Sequence, residues 1–218
     1  MRPTVKICGQ TRPRDVEMCA RHGADILGFV VEYPRPVPWN LSAEAAKDLL
    51  EITAASRKGA ETCVVTGGEP DKIYRVAALT KPNYVQLHYG ETLTDTLRLV
   101  NELGKHGIKI IKALFPDTPS LEKTAEDFCA AGVYALLFDP RAPDNPARGG
   151  VFDLRVFKKL QRIVNCPVVL AGGITPENAA EAVRRSKARI IDLMTGVENS
   201  PGEKDETKVI SLFRAFGK

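Results

Sequence analysis

The sequence predicts an α/β fold in which eight parallel strands, each followed by a helix, close into a (β/α)8 TIM barrel forming one domain over residues 1–218. Strand-like and helix-like segments alternate eight times, at about 27 residues per unit. The strand segments are dense in Val, Ile and Leu on both faces, as parallel strands covered by helices are. Right-handed crossovers join such strands, and eight units close the barrel. A doubly wound open sheet is the alternative, but the turn Cys8-Gly9-Gln10 after the first strand lacks the GxGxxG fingerprint of that fold.

The first half of the chain supplies four of these units. Apolar segments predict strands over 5–8, 25–31, 61–65 and 84–88. Helical periodicity predicts helices over 13–22, from Ser42 onward, over 71–79 and over 93–105. Gly23 ends the first helix, and the Ser42 hydroxyl caps the second. Between the second strand and Ser42, the loop EYPRPVPWNL contains three prolines, which exclude regular structure there.

The second half supplies the other four units. Strands are predicted over 108–114, 134–139 and 167–173 and from residue 189, and helices over 121–130, 154–164 and 206–216. The last two strands, in PVVLAGG and RIIDLMTGVENSPG, each run into a glycine turn. After the first of these turns, Thr175-Pro176-Glu177 matches a helix N-cap with proline at the first helical position.

Composition and charge exclude several classes of function. The 31 basic and 27 acidic residues are interleaved, without a basic stripe carrying aromatic residues, so nucleic acid is not an expected partner. Apolar runs fall short of the ~18 residues of a membrane span, and the amino terminus has no apolar leader. Five scattered cysteines and three histidines indicate neither a disulfide framework nor a metal site. We therefore expect a reduced, cytoplasmic protein.

The glycine turns after the last two strands predict a phosphate site. Gly172-Gly173 and Thr195-Gly196 leave backbone N–H groups without side-chain cover beside the starts of helices. The alternative is that these glycines only permit tight strand-to-helix turns. Two successive occurrences at neighbouring strand ends favour an anion site, and we expect a small phosphorylated molecule to bind there.

Candidate catalytic groups lie at the carboxyl ends of the strands, where active sites of such barrels are built. In chain order these ends carry Cys8, then Gln86 and His88, then Lys112, and then Asp139. The last two strands lie between the sixth and the first in a closed ring. Asp139 and Cys8 are therefore expected to flank the phosphate from opposite sides, as an acid and a base acting on one substrate would.

Each candidate also has a structural interpretation. Cys8 would ordinarily be a small buried hydrophobe, but Lys6 shares its face of the strand, and a nearby cation is expected to lower the pKa of its thiol towards neutrality. Asp139 could simply cap a loop, but partial burial behind an apolar strand is expected to raise its pKa so that it holds a proton. Arg35, in the proline-rich loop, is either a bidentate carboxylate ligand or an exposed arginine. His88 is either a second candidate base or a hydrogen-bonded structural histidine.

Several short motifs, in order along nearly the whole chain, resemble the phosphoribosylanthranilate isomerase family. They are KICG at residues 6–9, VQLH at 85–88, LLFD at 136–139, FD at 152–153, LAGG at 170–173 with PEN at 176–178, and GVE at 196–198 followed by PG at 201–202 and KD at 204–205. Each motif is weak alone, but together in this order they are specific.

The resemblance implies a (β/α)8 enzyme of tryptophan biosynthesis that needs no cofactor and carries out an Amadori rearrangement of N-(5-phosphoribosyl)anthranilate. It implies that Cys8 is the general base, that Asp139 is the general acid and that Arg35 contacts the substrate carboxylate. We assign Gln86 and His88 to substrate binding. The predicted phosphate site comprises Gly149, Gly150, Gly172, Gly173, Thr195 and Gly196.

The sequence departs from the family pattern at the rim of the predicted site. Tyr89 is inserted between His88 and Gly90, and Met194-Thr195 replaces the usual Ser-Ser. The glycine loop before Phe152 is shortened, and the loop around Arg35 is longer and richer in proline. Because these departures lie at the predicted rim, they bear on which ligand binds more than on the fold.

Three alternatives therefore stay open. One is a diverged barrel that acts on a related phosphorylated aminosugar. Another is the related histidine-pathway sugar isomerase, although that family uses two aspartates and a phosphate site in each half-barrel. The third is a non-catalytic binder of a phosphorylated ligand. The sequence leaves open whether the chain is a monomer or a homodimer.

Overall fold

A computed structural model describes residues 2–56, 59–141 and 150–217, and it confirms the closed barrel. The barrel strands are β1 Thr4–Ile7, β2 Ile26–Val30, β3 Glu61–Thr66, β4 Tyr84–Leu87, β5 Lys109–Leu114, β6 Ala135–Phe138, β7 Val168–Ala171 and β8 Ile190–Leu193. The helices are α1 Pro13–His22, α2 Ala43–Ala54, α3 Pro70–Thr80, α4 Leu93–Gly104, α5 Leu121–Ala130, α6 Leu154–Ile163, α7 Ala179–Ser186 and α8 Glu206–Arg214. Neighbouring strands pair in parallel throughout, and β1 closes the ring on β8.

Local sequence signals explain where several helices begin and end. The Ser42 hydroxyl accepts a hydrogen bond from the Ala45 amide at 3.1 Å, as the sequence predicted. Thr92 and Asp95 form a reciprocal capping box at the start of α4. Gly23 ends α1 with a φ of 109°, in the left-handed region that glycine adopts without steric cost.

The side chains of the barrel form two buried layers. One layer fills the inside of the ring and includes Cys8, Cys63 and Ile111, whereas the larger layer lies between the strands and the helices. Alternation along each strand decides the layer, because successive side chains point to opposite faces. Lys6 and Cys8 therefore share the inner face of β1, as predicted.

The same alternation corrects the expectation for Lys112. The predicted site included the end of β5, but Lys112 points outward from the ring. Its ammonium donates to the Glu91 carboxylate at 2.7 Å and lies 5.6 Å from the centre of the Phe128 ring. This buried ion pair anchors the loop between β4 and α4.

The chain after β8 contains elements that the sequence analysis missed. A single 3-10 turn over Thr195–Val197 leads into a short antiparallel pair, β9 Glu198–Ser200 and β10 Glu203–Lys204. The Glu198 carboxylate accepts hydrogen bonds from the Trp39 indole at 2.9 Å and the Lys204 ammonium at 2.6 Å. These bonds connect the two short strands to the loop after β2. In the barrel, β1 lies between β2 and β8.

The predicted N-cap of α7 at Thr175 is wrong. The helix begins at Ala179, with Asn178 at its N-cap position. The Asn178 side chain accepts a hydrogen bond from the Thr175 amide at 2.9 Å and donates to the Gly173 carbonyl at 2.9 Å. These bonds make a turn where the proline pattern predicted the first helical residues. Among the described residues, the helices lack the combined length and hydropathy that crossing a bilayer requires.

Candidate active site

A cavity of about 330 Å³ opens at the carboxyl ends of the barrel strands. Nine of the predicted site residues line it: Cys8, Gln86, His88, Asp139, Gly150, Gly172, Gly173, Thr195 and Gly196. They come from β1, β4, β6, β7 and β8 or the turns after them, because the carboxyl ends of parallel strands meet at one face. These nine residues are therefore brought together, Arg35 does not line the cavity, and Gly149 lies outside the described residues.

Cys8 directly follows the carboxyl end of β1 and lies inside the ring, next to a buried ion pair. The Lys6 ammonium donates to the Asp192 carboxylate at 2.6 Å, and the Lys6 side chain is 1% exposed. Cys8 fits into this position because β2 carries glycine opposite it. A Cβ at Gly28 would lie 2.8 Å from the Cys8 sulfur.

The expected lowering of the Cys8 pKa is wrong. Burial raises the pKa of the thiol, and the Asp192 carboxylate raises it further. Lys6 lowers the pKa, as the sequence analysis argued, but burial outweighs it. In the ligand-free site Cys8 is therefore a neutral thiol.

Asp139 lies at the end of β6, 1% exposed, within a network of donors. Its carboxylate is 3.2 Å from the Nε2 atom of His88, whose Nδ1 atom is 2.9 Å from the Gln86 amide nitrogen. When Gln86 donates to Nδ1, the ring proton lies on Nε2 and points at Asp139. Gln86 and His88 thus orient the carboxylate.

The expected rise in the Asp139 pKa is also wrong. Burial does raise it, but the hydrogen bonds and charges of His88 and Arg141 outweigh burial and lower the pKa below its ordinary value. Asp139 is therefore ionised in the ligand-free site.

Arg141 is a site residue that the sequence analysis missed. Its side chain is largely buried, lines the cavity and forms a bidentate ion pair with Asp139, with 2.7 Å between Nη2 and Oδ2. The available signal was a basic residue two positions after the candidate acid, in the loop whose shortening the sequence had shown. Nothing in that loop's pattern indicated the direction of the side chain.

Arg35 is not placed in the cavity. Its side chain is exposed, whereas Tyr33 and Val37 from the same loop line the cavity. Side chains in a loop follow no regular period. The sequence therefore identified a loop that contributes to the cavity, but it did not predict the direction of the Arg35 side chain. A role for Arg35 in binding a carboxylate stays a prediction.

The glycine turns after β6, β7 and β8 approach one another too closely for side chains. Gly172 has a φ of 92°, and a Cβ there would lie 2.3 Å from a Pro140 ring carbon. At Gly196 a Cβ would lie 2.0 Å from the Ile174 carbonyl oxygen. The three turns can therefore form one continuous rim of bare backbone. Gly149, also predicted to bind phosphate, lies outside the described residues.

Aromatic side chains of the loop after β2 form another part of the cavity wall. Tyr33 and Trp39 line the cavity, and the Tyr33 hydroxyl donates to the His88 carbonyl at 2.9 Å. The inserted Tyr89 packs edge-on against Tyr33, with ring centres 6.1 Å apart. The insertion therefore supports the cavity wall from behind.

The fold and the site together define a (β/α)8-barrel enzyme with a cluster of ionisable side chains and a glycine rim around one cavity. The family model described as N-(5'-phosphoribosyl)anthranilate (PRA) isomerase matches residues 5–215. The chain belongs to this family and is an isomerase.

Named relatives and solved structures agree with this assignment. The chain is 30% identical to the N-(5'-phosphoribosyl)anthranilate isomerase of Methanopyrus kandleri over 97% of both chains. It is 32% identical to the Bordetella pertussis isomerase over 99% of this chain and 96% of the relative. The Thermotoga maritima phosphoribosyl anthranilate isomerase superposes with a TM-score of 0.83 at 27% identity, covering 100% of both chains.

One solved structure of the family contains a ligand. A phosphoribosyl anthranilate isomerase in complex with reduced 1-(o-carboxyphenylamino)-1-deoxyribulose 5-phosphate superposes with a TM-score of 0.80 at 26% identity, covering 100% of both chains.

Proposed function

We propose that this chain converts N-(5'-phosphoribosyl)anthranilate to 1-(2-carboxyphenylamino)-1-deoxyribulose 5-phosphate. The reaction is an Amadori rearrangement that needs no cofactor, with Asp139 as general acid and Cys8 as general base. Support comes from the family of the chain and from the ligand in the related complex, which is a reduced form of this product. The alternatives are a related phosphorylated aminosugar as substrate, or binding without turnover.

Two proton transfers carry the reaction. Asp139 donates a proton to the furanose ring oxygen, so that the C1–O bond breaks and the glycosylamine opens to a protonated Schiff base. The Cys8 thiolate then removes the proton from C2, which gives an enolamine that tautomerises to the ketone. One acid and one base at opposite sides of the sugar suffice for both steps.

The observation that carries this proposal is that Cys8 and Asp139 line one cavity, together with the glycine turns after β6, β7 and β8. Amide groups of these turns would hold the phosphate of the substrate, since convergent backbone N–H groups bind oxyanions. A fixed phosphate keeps the flexible open-chain intermediate between acid and base, so phosphate binding contributes to orientation.

The protonation states of the ligand-free site are the reverse of those that the reaction uses. Asp139 is ionised and Cys8 is a neutral thiol before substrate binds. Asp139 must therefore take up a proton when substrate binds, and the thiol must lose one. Lys6, directly beneath Cys8, stabilises the thiolate once it forms.

Kinetics with purified variants test the assignment. Cys8→Ser and Asp139→Asn are each expected to lower kcat by at least about 100-fold, as loss of a general base or acid does. Matched controls are Cys129→Ser, in α5 away from the cavity, and Asp117→Asn, an exposed carboxylate in the loop after β5. Turnover is followed by the loss of fluorescence of the anthranilate adduct. Undiminished rates in both variants would refute the roles of Cys8 and Asp139.

Complementation tests the reaction itself. A bacterial strain that lacks this isomerase is expected to grow without tryptophan when it expresses the chain, and not when it expresses Asp139→Asn. Failure of the folded wild-type chain to restore growth and to turn over the substrate in vitro would favour one of the alternatives. For the assembly, the prediction of a monomer or homodimer is tested by light scattering.

A further inference from the structure

Arg141 holds the proposed general acid in an ion pair within the cavity. Its Nε atom lies 2.9 Å from Oδ1 of Asp139 and its Nη2 atom 2.7 Å from Oδ2, and its backbone amide donates to Oδ1 at 3.0 Å. A planar guanidinium that matches both oxygens of a carboxylate makes a strong, directional pair. Asp139 in this state is an acceptor with no proton to give.

The charges around the pair place the guanidinium near the reacting groups. Asp139 faces His88 at the end of β4 and Tyr33 of the loop after β2, besides Arg141 itself. Burial lowers the pKa of Arg141, but Asp139 raises it more, and Asp192 and Cys8 raise it further. The guanidinium thus lies within electrostatic range of both the proposed acid and the proposed base.

An anion of the substrate can compete for this guanidinium. Among the lining residues that the structure describes, Arg141 is the one arginine or lysine. The phosphate already has the glycine turns, whereas Arg35 is exposed outside the cavity. The aryl carboxylate of the proposed substrate therefore lacks a buried cationic partner unless Arg141 provides it.

We propose that Arg141 is a positioning residue that, together with His88, keeps Asp139 ionised in the empty site and transfers its guanidinium to the aryl carboxylate when substrate binds. This inference rests on the proposed function. Once Arg141 leaves, Asp139 takes up one proton from solvent water and becomes the acid that the ring opening needs. Apart from this new O–H bond of Asp139, no covalent bond of the chain forms or breaks. The substrate carboxylate thereby activates the enzyme as well as being recognised by it.

Calorimetry measures this exchange without requiring turnover. The probe is reduced 1-(o-carboxyphenylamino)-1-deoxyribulose 5-phosphate, titrated at neutral pH in buffers that differ in ionisation enthalpy, so that the dependence on buffer gives the protons taken up. Wild type is expected to take up about one more proton per ligand than Asp139→Asn, in which residue 139 no longer titrates. This comparison removes the contribution of the ligand phosphate, which both proteins bind.

Affinities of the variants give a second readout. Arg141→Gln is expected to bind the probe about 10- to 100-fold more weakly, the range for loss of a charge-assisted pair. Asp139→Asn is expected to bind it more tightly, because Arg141 is then released from its internal partner. The tightening should disappear in the double variant Asp139→Asn/Arg141→Gln. Arg141→Lys, which keeps the charge without the planar fork, should lie between wild type and Arg141→Gln.

Two arginines serve as comparisons. Arg155→Gln removes a charge from the start of α6, where the side chain is 95% exposed, and should leave affinity and proton uptake unchanged. Arg35→Gln tests the competing carboxylate site. Weakening of the probe by Arg35→Gln and not by Arg141→Gln would overturn the proposal.

Ligands that lack one anion separate the two anions of the substrate. The phenylamino analogue without the ring carboxylate, and inorganic phosphate alone, are expected to give no uptake beyond that of Asp139→Asn. The same extra proton with inorganic phosphate would overturn the role of the carboxylate. Equal proton uptake by wild type and Asp139→Asn with the full probe would overturn the exchange.

The outcomes distinguish this inference from the proposed function. Extra proton uptake and Arg141-dependent affinity without turnover would refute the isomerase activity and keep the exchange. Turnover without the extra proton would refute the exchange and keep the isomerase activity. Absence of any binding by folded wild type would overturn both.

Discussion

Replacing Lys6 with methionine removes the cation beneath Cys8 and leaves Asp192 buried without its partner. The two side chains are 1% and 9% exposed and are 2.6 Å apart. Removing one member of such a pair typically costs about 3–5 kcal/mol of folding free energy, because the remaining charge is desolvated and uncompensated. For a domain of this size that corresponds to a Tm lower by about 6–20 °C.

The same substitution should impair the proposed base. Lys6 is within hydrogen-bonding reach of the Cys8 thiol and lowers its pKa. Two unit charges about 4 Å apart interact by about 4 kcal/mol at an effective dielectric of about 20. Asp192 opposes part of this effect in the wild type, and in Lys6→Met only the smaller contribution of Lys204 would oppose Asp192. We therefore expect kcat to fall by at least about 100-fold, with the pKa of the thiol raised further.

A double variant separates stability from chemistry. In Lys6→Met/Asp192→Leu both charges are replaced by apolar groups of similar volume, which is often neutral or stabilising for a buried pair. Stability should return to within about 1–2 kcal/mol of wild type, while turnover stays low because the cation is still missing.

Three measurements check this reasoning on each variant. Thermal unfolding by circular dichroism reports stability, and steady-state kinetics report turnover. The pH dependence of iodoacetamide alkylation, measured by mass spectrometry on the peptide that contains Cys8, reports the thiol pKa. Recovery of turnover together with stability in the double variant would refute the electrostatic role of Lys6. Unchanged stability in Lys6→Met would refute the buried ion pair itself.

Three further outcomes follow from buried contacts. Gly196→Ala would place a Cβ 2.0 Å from the Ile174 carbonyl oxygen, so the turns must separate; steady-state kinetics should show KM raised at least about 10-fold, and an unchanged KM would contradict the glycine rim. The lowered pKa of Asp139 contributes stability that is present above about pH 4 and lost as the pH falls through its folded value. Urea unfolding of Asp139→Asn should therefore show a deficit of about 1–3 kcal/mol near pH 7 that shrinks in acid, whereas a deficit independent of pH would contradict it. Lys112→Met leaves the fully buried Glu91 carboxylate unpaired and should cost about 3–5 kcal/mol in the same assay; a loss below about 1 kcal/mol would exclude a structural role for this pair.

The sequence predicted the parts of the molecule that a regular period controls. Eight strands with apolar runs specify a barrel, and the barrel specifies that Cys8 and Asp139 meet at one end. Alternation along β1 likewise placed Lys6 on the same face as Cys8. The same alternation along β5 directs Lys112 away from the cavity, and its ammonium pairs with Glu91 outside the ring of strands. Lys112 was wrongly predicted because its position at the end of a strand was considered and the face of the strand that it occupies was not.

The directions of loop side chains could not be predicted, because loops have no regular period that fixes them. The sequence identified the loop of Arg35 as part of the rim, and Tyr33 from that loop does line the cavity. It gave no reason to prefer Arg141 in the loop after β6. At the start of α7, the Thr175-Pro176 pattern is typical of an N-cap, but the helix begins only at Ala179, after a turn in which the Asn178 side chain binds the Thr175 amide and the Gly173 carbonyl.

The two pKa expectations failed for one physical reason. Each was argued from a single cause near in sequence, and each cause is present: Lys6 lowers the pKa of Cys8, and burial raises that of Asp139. The net directions are decided by burial at Cys8 and by His88 and Arg141 at Asp139, and most of these contributions require the closed barrel. The empty site therefore has its proposed acid ionised and its proposed base protonated. Catalysis with the proposed roles therefore requires both groups to change protonation, and the ion pair of Asp139 with Arg141 is the contact that we propose an incoming anion breaks.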